Sequence, residues 1–353
     1  MGKFSKWLFG ILTILILVVV SACSSGASDR SKPADAPVEE GKEASSAKEK
    51  YEINLAFGNQ PDEPVGQLAQ KWKELAAERS NGAIELKLYP SSQLGSEQDV
   101  VEQARMGNNV IIMAGYGFLM DYVPDAGIFD APYLVDNFDE LLYLTTTDWF
   151  DGIRSDLKKK NIEIVTTNTV YGERHLLTNK KVTTPEDLKG LKIRVPNTQI
   201  AIQTFEAMGA AATPTPLADL YTSLQQGLVD GAENPLPVLQ GVKAQEVSKH
   251  LSLTGHQKFI LAWIAGTDFI EMLPEDIVQI LRETGDEAGD YARTILEEET
   301  KAVLAEFEVE GVEIHEVDPE SFKELVKPVY DAFPDWTPGL YDEVQELLNK
   351  RPK

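Results

Sequence analysis

The chain switches repeatedly between two hydrophobic periods. Residues 53–57 read as a short strand running into the loop Gly58-Asn59-Gln60-Pro61. Val65, Leu68, Ala69, Trp72, Leu75 and Ala76 then fall on one face at helical spacing. Asn81-Gly82 ends that helix, and Ile84, Leu86 and Leu88 alternate with polar residues as a half-buried strand does. Ser96 caps another helix, Asp99 answers it three residues later, Gly107 closes it, and 110–113 form a short buried strand. This β-α-β-α-β order predicts a parallel sheet with helices on its faces, hence an α/β fold.

Gly115-Tyr116-Gly117 follows that last strand directly. Its spacing fails the nucleotide-binding pattern and no good helix start follows, so it reads either as a tight, ligand-facing turn at a strand end or as simple loop use of glycine. Residues 124–133 are loop-like, 138–144 resume helix, and 162–165 form a strand. Thr184, Pro185 and Asp187 then set up a short capped turn that Gly190 ends. Leu191-Lys192-Ile193-Arg194-Val195 alternates as a strand until Pro196 stops it, placing Arg194 at the carboxyl end, where open α/β sheets collect ligands. Arg174 stands upstream beside Tyr171 and His175. Two guanidiniums near one strand end suit a carboxylate, because each offers a planar, permanently charged fork. Spacing alone equally allows both to pair with surface acids.

Further on, a helix at 199–208 stops at Gly209, and Thr213-Pro214-Thr215-Pro216 is a rigid extended loop. A helix over 218–226 leads to a turn at Asp230-Gly231 and then Glu233-Asn234-Pro235, where the proline holds Asn234 extended. The Asn234 amide either donates to a ligand or merely sets the turn. A long helical run extends from Pro274 to about residue 308, with Gly285 and Gly289 as weak points, and two more helices cover about 321–333 and 338–349.

Three segments occur in a telling order: YPSSQLG at 89–95, TPEDLKGLKIRVPN at 184–197 and LQQGLVDGAENP at 224–235. Together they resemble the solute receptors of TRAP transporters, the DctP-like family, from about Tyr51 almost to the C-terminus. The resemblance implies a two-lobe periplasmic-binding-protein fold with a ligand cleft between the lobes and a long helix spanning both. It implies lobe I at 51–171 plus about 260–299, and lobe II at 172–259 plus about 300–353. Arg194 and Arg174 match the family positions that hold a ligand carboxylate, and Asn234 matches the amide that orients it. Asn197 lies beside the strand end, and Asn59, Tyr116 and their neighbours would close over the ligand from the opposite lobe. His175 beside Arg174 either faces the cleft or plays a structural part. The sialic-acid-binding branch tends to carry an acidic residue near Gly115 and an aromatic near Leu217; this chain has neither, which argues against sialic acid. C4-dicarboxylates and sugar acids, such as uronates or keto-acids of gulonate type, are the leading ligand classes. The implied partners are TRAP membrane subunits, a small and a large permease chain or a fused one.

Composition sharpens this picture. The 353 residues suffice for two lobes, and 57 Asp and Glu against 33 Lys and Arg leave no basic footprint for nucleic acid. The single cysteine, Cys23, rules out an internal disulfide or a cysteine-based metal site. Lys3 and Lys6, an apolar run of 14 residues at 7–20, and Val20-Ser21-Ala22-Cys23 read as a lipoprotein signal peptide over 1–22. Cleavage would leave Cys23 carrying acyl chains such as palmitate, tethering an extracytoplasmic protein to the cell membrane. The stretch 23–50, poor in large apolar residues, is then a flexible tether.

Catalysis finds little footing. The four histidines show no paired metal spacing, there is no nucleophile elbow or phosphate loop, and no cofactor or metal site is expected. The competing readings are an extracytoplasmic enzyme acting on a carboxylated sugar, a sensory adaptor binding the same ligand, and the receptor of an ATP-driven importer.

Overall fold

The computed structural model describes residues 49–352. Cys23, the signal sequence and nearly all of the tether lie outside the described residues. Among the described residues, nine strands form one mixed sheet: β1 (Tyr51–Ala56), β2 (Ile84–Tyr89), β3 (Val110–Gly115), β4 (Glu163–Thr178), β5 (Lys192–Val195), β6 (Ala211–Pro214), β7 (Gly231–Asn234), β8 (His250–Ala265) and β9 (Glu313–Glu316). Their order is β2-β1-β3-β8-β4-β7-β5-β6, with β9 paired to β8.

The expected β-α-β-α-β unit is present, with β1 parallel to both β2 and β3. Its helices are Pro64–Arg79 and Glu97–Arg105, the second closed by a reciprocal capping box between Ser96 and Asp99. A second parallel group, β6-β5-β7, lies at the other end of the sheet. Between the two groups run β4 and β8, each 16 residues long and antiparallel to one another. The Ile164-side half of β4 pairs with the part of β8 next to β3, whereas His175–Thr178 pairs with β7. These two strands therefore cross from one lobe to the other. Repeated register shifts interrupt their pairing, and Gly172 sits in one with φ 132°, a backbone conformation that favours glycine.

The third crossing is the 35-residue helix Glu275–Val309. Its Ile277, Leu281, Ala288 and Ala292 share a core with Leu55, Trp72 and Trp263, while Val303 and Phe307 share another with Leu177 and Leu251. Gly285, a weak point by propensity, is where the helix backs onto its neighbours: a Cβ there would lie 2.6 Å from Thr166 and 2.8 Å from Trp72. Trp72 Nε1 in turn donates to the Leu281 carbonyl at 3.0 Å. The C-terminal helices Pro319–Val326 and Leu340–Asn349 bury Phe322, Val326, Leu340 and Val344 in a core that also holds Phe129, Leu141 and Phe205. Gln345 donates to the Leu134 carbonyl and Tyr330 to the Pro132 carbonyl, so this segment adds contacts with residues expected in lobe I.

The sequence pattern announces no strand at β8, and three local expectations are corrected. β8 has no clear period-2 pattern, because Gly255 interrupts its first half and its second half, Phe259 to Ala265, is buried on both faces. Thr213-Pro214 belongs to β6 rather than to a loop; it is an edge strand, where proline is tolerated. Gly231, expected in a turn with Asp230, instead opens β7 (Gly231–Asn234), which is fully buried between β4 and β5. Gly115 is the cap of a short helix, Tyr116–Leu119, not a bare turn.

Candidate functional site

Arg194 leaves the carboxyl end of β5 as expected and is 3% exposed. Its Nε donates to the Thr215 carbonyl at 2.8 Å, which fixes the fork, while neither terminal nitrogen has a protein acceptor among the described residues. Burial pulls this guanidinium down to about 10, with Glu233 opposing and Arg174 adding to the fall, so it stays charged at neutral pH. A buried cation held by one carbonyl is poised for an anion.

Arg174 is placed in the same cleft but is differently employed. Its Nε and Nη2 donate to the two carboxylate oxygens of Glu233 at 2.5 and 2.6 Å, and Phe259 lies under the guanidinium, 4.7 Å to the ring centre. Burial pushes the Glu233 carboxyl up, and Arg174 and His256 together outweigh it, holding it near about 2. His256 Nε2 lies 3.3 Å from Glu233, and its Nδ1 lies 2.8 Å from Thr254 Oγ1. The pairing with an acid that spacing allowed thus applies to Arg174, although the acid is buried rather than on the surface.

Asn234, next to Glu233 on β7, lines the cleft and makes no side-chain hydrogen bond among the described residues. Asn197 stands at the mouth, where its Nδ2 donates to Gln98 Oε1 at 2.8 Å across the cleft. Asn59 lines the far wall, but its amide is committed to Tyr171 at 3.0 Å and to Glu63 through a shorter bond.

Two expected residues lie elsewhere. Tyr116 is fully buried, stacked on Phe129 at 4.4 Å between ring centres; the short helix turns it into the core, and Phe118 takes its place on the cleft wall. His175 alternates away from Arg174 along β4 and accepts from the Gly255 backbone at 3.1 Å; burial holds it near about 4, hence neutral. The glycines flanking Tyr116 serve close packing, since a Cβ on Gly117 would come within 2.6 Å of Asp130.

Three acids escape a reading of spacing. Glu97 accepts from the Gly115 backbone at 2.7 Å and faces the cavity; burial raises it to about 7 against the pull of that N–H and both arginines. It supplies, from the capped helix start, an acid beside Gly115 that the local sequence lacks. Asp130 accepts from Gly117 at 2.7 Å, and burial raises it to about 8; its Oδ1 is buried without a partner among the described residues. Glu233 sits inside the quoted GAENP segment, but only the β4–β7 register aims it at Arg174.

The cavity at Arg194 has a volume of about 210 Å³ and is lined by Arg194, Tyr171, Glu97, Gln98, Ser92 and Thr215, with Met113, Phe118 and Leu217 as its apolar wall. Gly58 and Leu217 approach from opposite sides; a Cβ on Gly58 would lie 3.6 Å from Leu217. A cleft cavity with a mixed polar and apolar lining and a guanidinium whose terminal nitrogens face no protein acceptor among the described residues, in a two-lobe fold threaded by β4, β8 and a long helix, fits a solute-binding protein.

Comparison with known proteins makes the class specific. The chain belongs to the bacterial extracellular solute-binding protein family 7, DctP, whose model matches residues 56–335. It is similar to a TRAP periplasmic solute-binding protein of Actinobacillus succinogenes with bound L-galactonate, at 42% identity and TM-score 0.84, covering 85% of this chain and 100% of that one. It is also similar to one from Ochrobacterium anthropi with bound L-fuconate, at 44% identity and TM-score 0.83, with the same coverage of 85% and 100%. The C4-dicarboxylate-binding periplasmic protein DctP of Rhodobacter capsulatus is 31% identical over 281 residues, 77% of this chain and 83% of that protein. Membership makes this an extracytoplasmic transport protein, not an enzyme.

Proposed function

We propose that the protein captures an open-chain sugar acid, of the hexonate type, and delivers it to TRAP permease subunits in the membrane. The observation that carries this reading is the contrast between the two arginines. Arg194 keeps both terminal nitrogens for a ligand, whereas Arg174 is bound to Glu233. One free cation suits one carboxylate. A C4-dicarboxylate needs a second grip, and the rest of the lining offers none: Ser92, Gln98, Asn234 and Glu97 instead suit hydroxyl groups. Two relatives above 40% identity hold L-galactonate and L-fuconate, six-carbon acids of that description, which supports the choice.

In this reading the ligand enters an open form and Arg194 takes its carboxylate. The lobes then bend shut about β4, β8 and the long helix. Closure strengthens the ion pair but also desolvates it, and Asn234, Glu97 and the Asp130 oxygen left without a partner would offset that cost through the ligand hydroxyls. A lipid on Cys23 and the tether to residue 50 would hold this body at the outer membrane face of the cell, within reach of the permease.

A thermal-shift screen of the body from Tyr51 onward tests the proposal, using aldonates, uronates, keto-acids, dicarboxylates and neutral sugars. A ligand that binds only the folded state raises the melting temperature by mass action. The expected result is a large shift with one or more hexonates, lost in Arg194→Ala. Shifts with dicarboxylates alone, or with neutral sugars alone, would overturn it.

A further inference from the structure

His250 opens β8 and pairs in register with Glu313 of β9, and His315 stands two residues beyond Glu313 on the same strand face. This brings together two histidines that are 65 positions apart in the chain, so no spacing motif announces them. His250 Nδ1 lies 3.1 Å from His315 Nε2 and 3.6 Å from Glu313 Oε2, and His315 Nε2 lies 3.9 Å from that same oxygen. A triangle with those edges has its centre about 2.1 Å from each corner, the length of a zinc–imidazole bond. The three donor atoms therefore stand at distances that one ion could span, which would replace the present hydrogen-bond contact between the two imidazoles. Among the described residues, no other group of His, Cys, Asp or Glu converges in this way.

We propose that His250, His315 and Glu313 form a surface site for a divalent late-transition ion, Zn²⁺ foremost, which ties β9 to the lobe-crossing strand β8. Two imidazoles and one carboxylate select such an ion over Mg²⁺ or Ca²⁺, which prefer oxygen donors. Glu313 is largely exposed, leaving a fourth position open to water. The charge of Lys181 is felt at His315 and opposes a cation, and the Glu313 carboxylate works the other way. None of the three residues lines the ligand cleft, so the site stands independently of any reading of the solute.

Calorimetric titration of Zn²⁺ into the untagged chain, in a buffer that does not chelate, tests this. The expected result is one ion per chain, a melting temperature raised by Zn²⁺, and no displacement by excess Mg²⁺. His250→Ala and His315→Ala should each weaken binding at least tenfold. Glu313→Gln, at an exposed position that leaves folding alone, should weaken it at least threefold. A wild-type chain that takes up no stoichiometric Zn²⁺, or binding in His315→Ala and Glu313→Gln equal to wild type, overturns the proposal.

Discussion

Arg174 and Glu233 are joined by two parallel hydrogen bonds, Nε to Oε2 at 2.5 Å and Nη2 to Oε1 at 2.6 Å, with both side chains buried. This pairing separates the cleft's two cations. One is bound into the protein, and the terminal nitrogens of the other, Arg194, meet no protein acceptor among the described residues.

Breaking that pair should be costly, because the survivor becomes an uncompensated buried charge. Arg174→Ala is expected to destabilise the fold by about 3–5 kcal/mol, read from urea unfolding. The double variant Arg174→Met, Glu233→Leu should recover much of the loss, since desolvation is relieved with both charges gone. A single variant within about 1 kcal/mol of wild type would show the pair to be incidental.

Arg194→Ala should act on binding instead. With the solute carboxylate enclosed and unpaired, affinity is expected to fall by about 3–5 kcal/mol while unfolding stability changes little. Arg194→Lys keeps the charge but loses the fork and should fall between the two. Calorimetry placing Arg194→Ala within threefold of wild type would remove the arginine from the binding account.

The contact from Asn197 to Gln98 spans the cleft mouth, so opening of the lobes should break it. It is exposed, so Asn197→Ala should cost about 1 kcal/mol of affinity. Stopped-flow measurement should find that cost mainly as faster ligand release, with the association rate nearly unchanged.

Stability should peak in mildly acid solution. Glu233 is held near about 2, below its ordinary 4.5, so its contribution is present above 4.5 and is lost as pH falls towards 2. Asp130 and Glu63 are raised by burial to about 8, so their protonated forms favour the fold at low pH. That contribution fades as pH rises from about 4 through 8. Melting temperature is expected to be highest near pH 5 and to decline by pH 8. Asp130→Asn, which keeps an acceptor for Gly117, should flatten the decline; an unchanged slope would rule Asp130 out as its source.

Much of this protein was legible in the chain itself. Amphipathic periods mark the helix Pro64–Arg79 and the long helix Glu275–Val309, because each must bury one stripe and expose the other. The Ser96 and Thr184 capping boxes appear as written, since capping is local chemistry between neighbours three residues apart. Arg194 at the end of β5 follows from alternation and a proline stop. What the chain could not disclose depends on partners distant in sequence. The second half of β8 is buried on both faces and shows no period, and Gly231 reads as part of a turn with Asp230 until β4 and β5 flank the strand it opens. The β4–β7 register alone decides that Arg174 meets Glu233, and the β8–β9 register alone brings His250 to His315. Local sequence carries propensity and pattern. Which charge is paired and which is left free is settled only when strands dozens of residues apart come side by side.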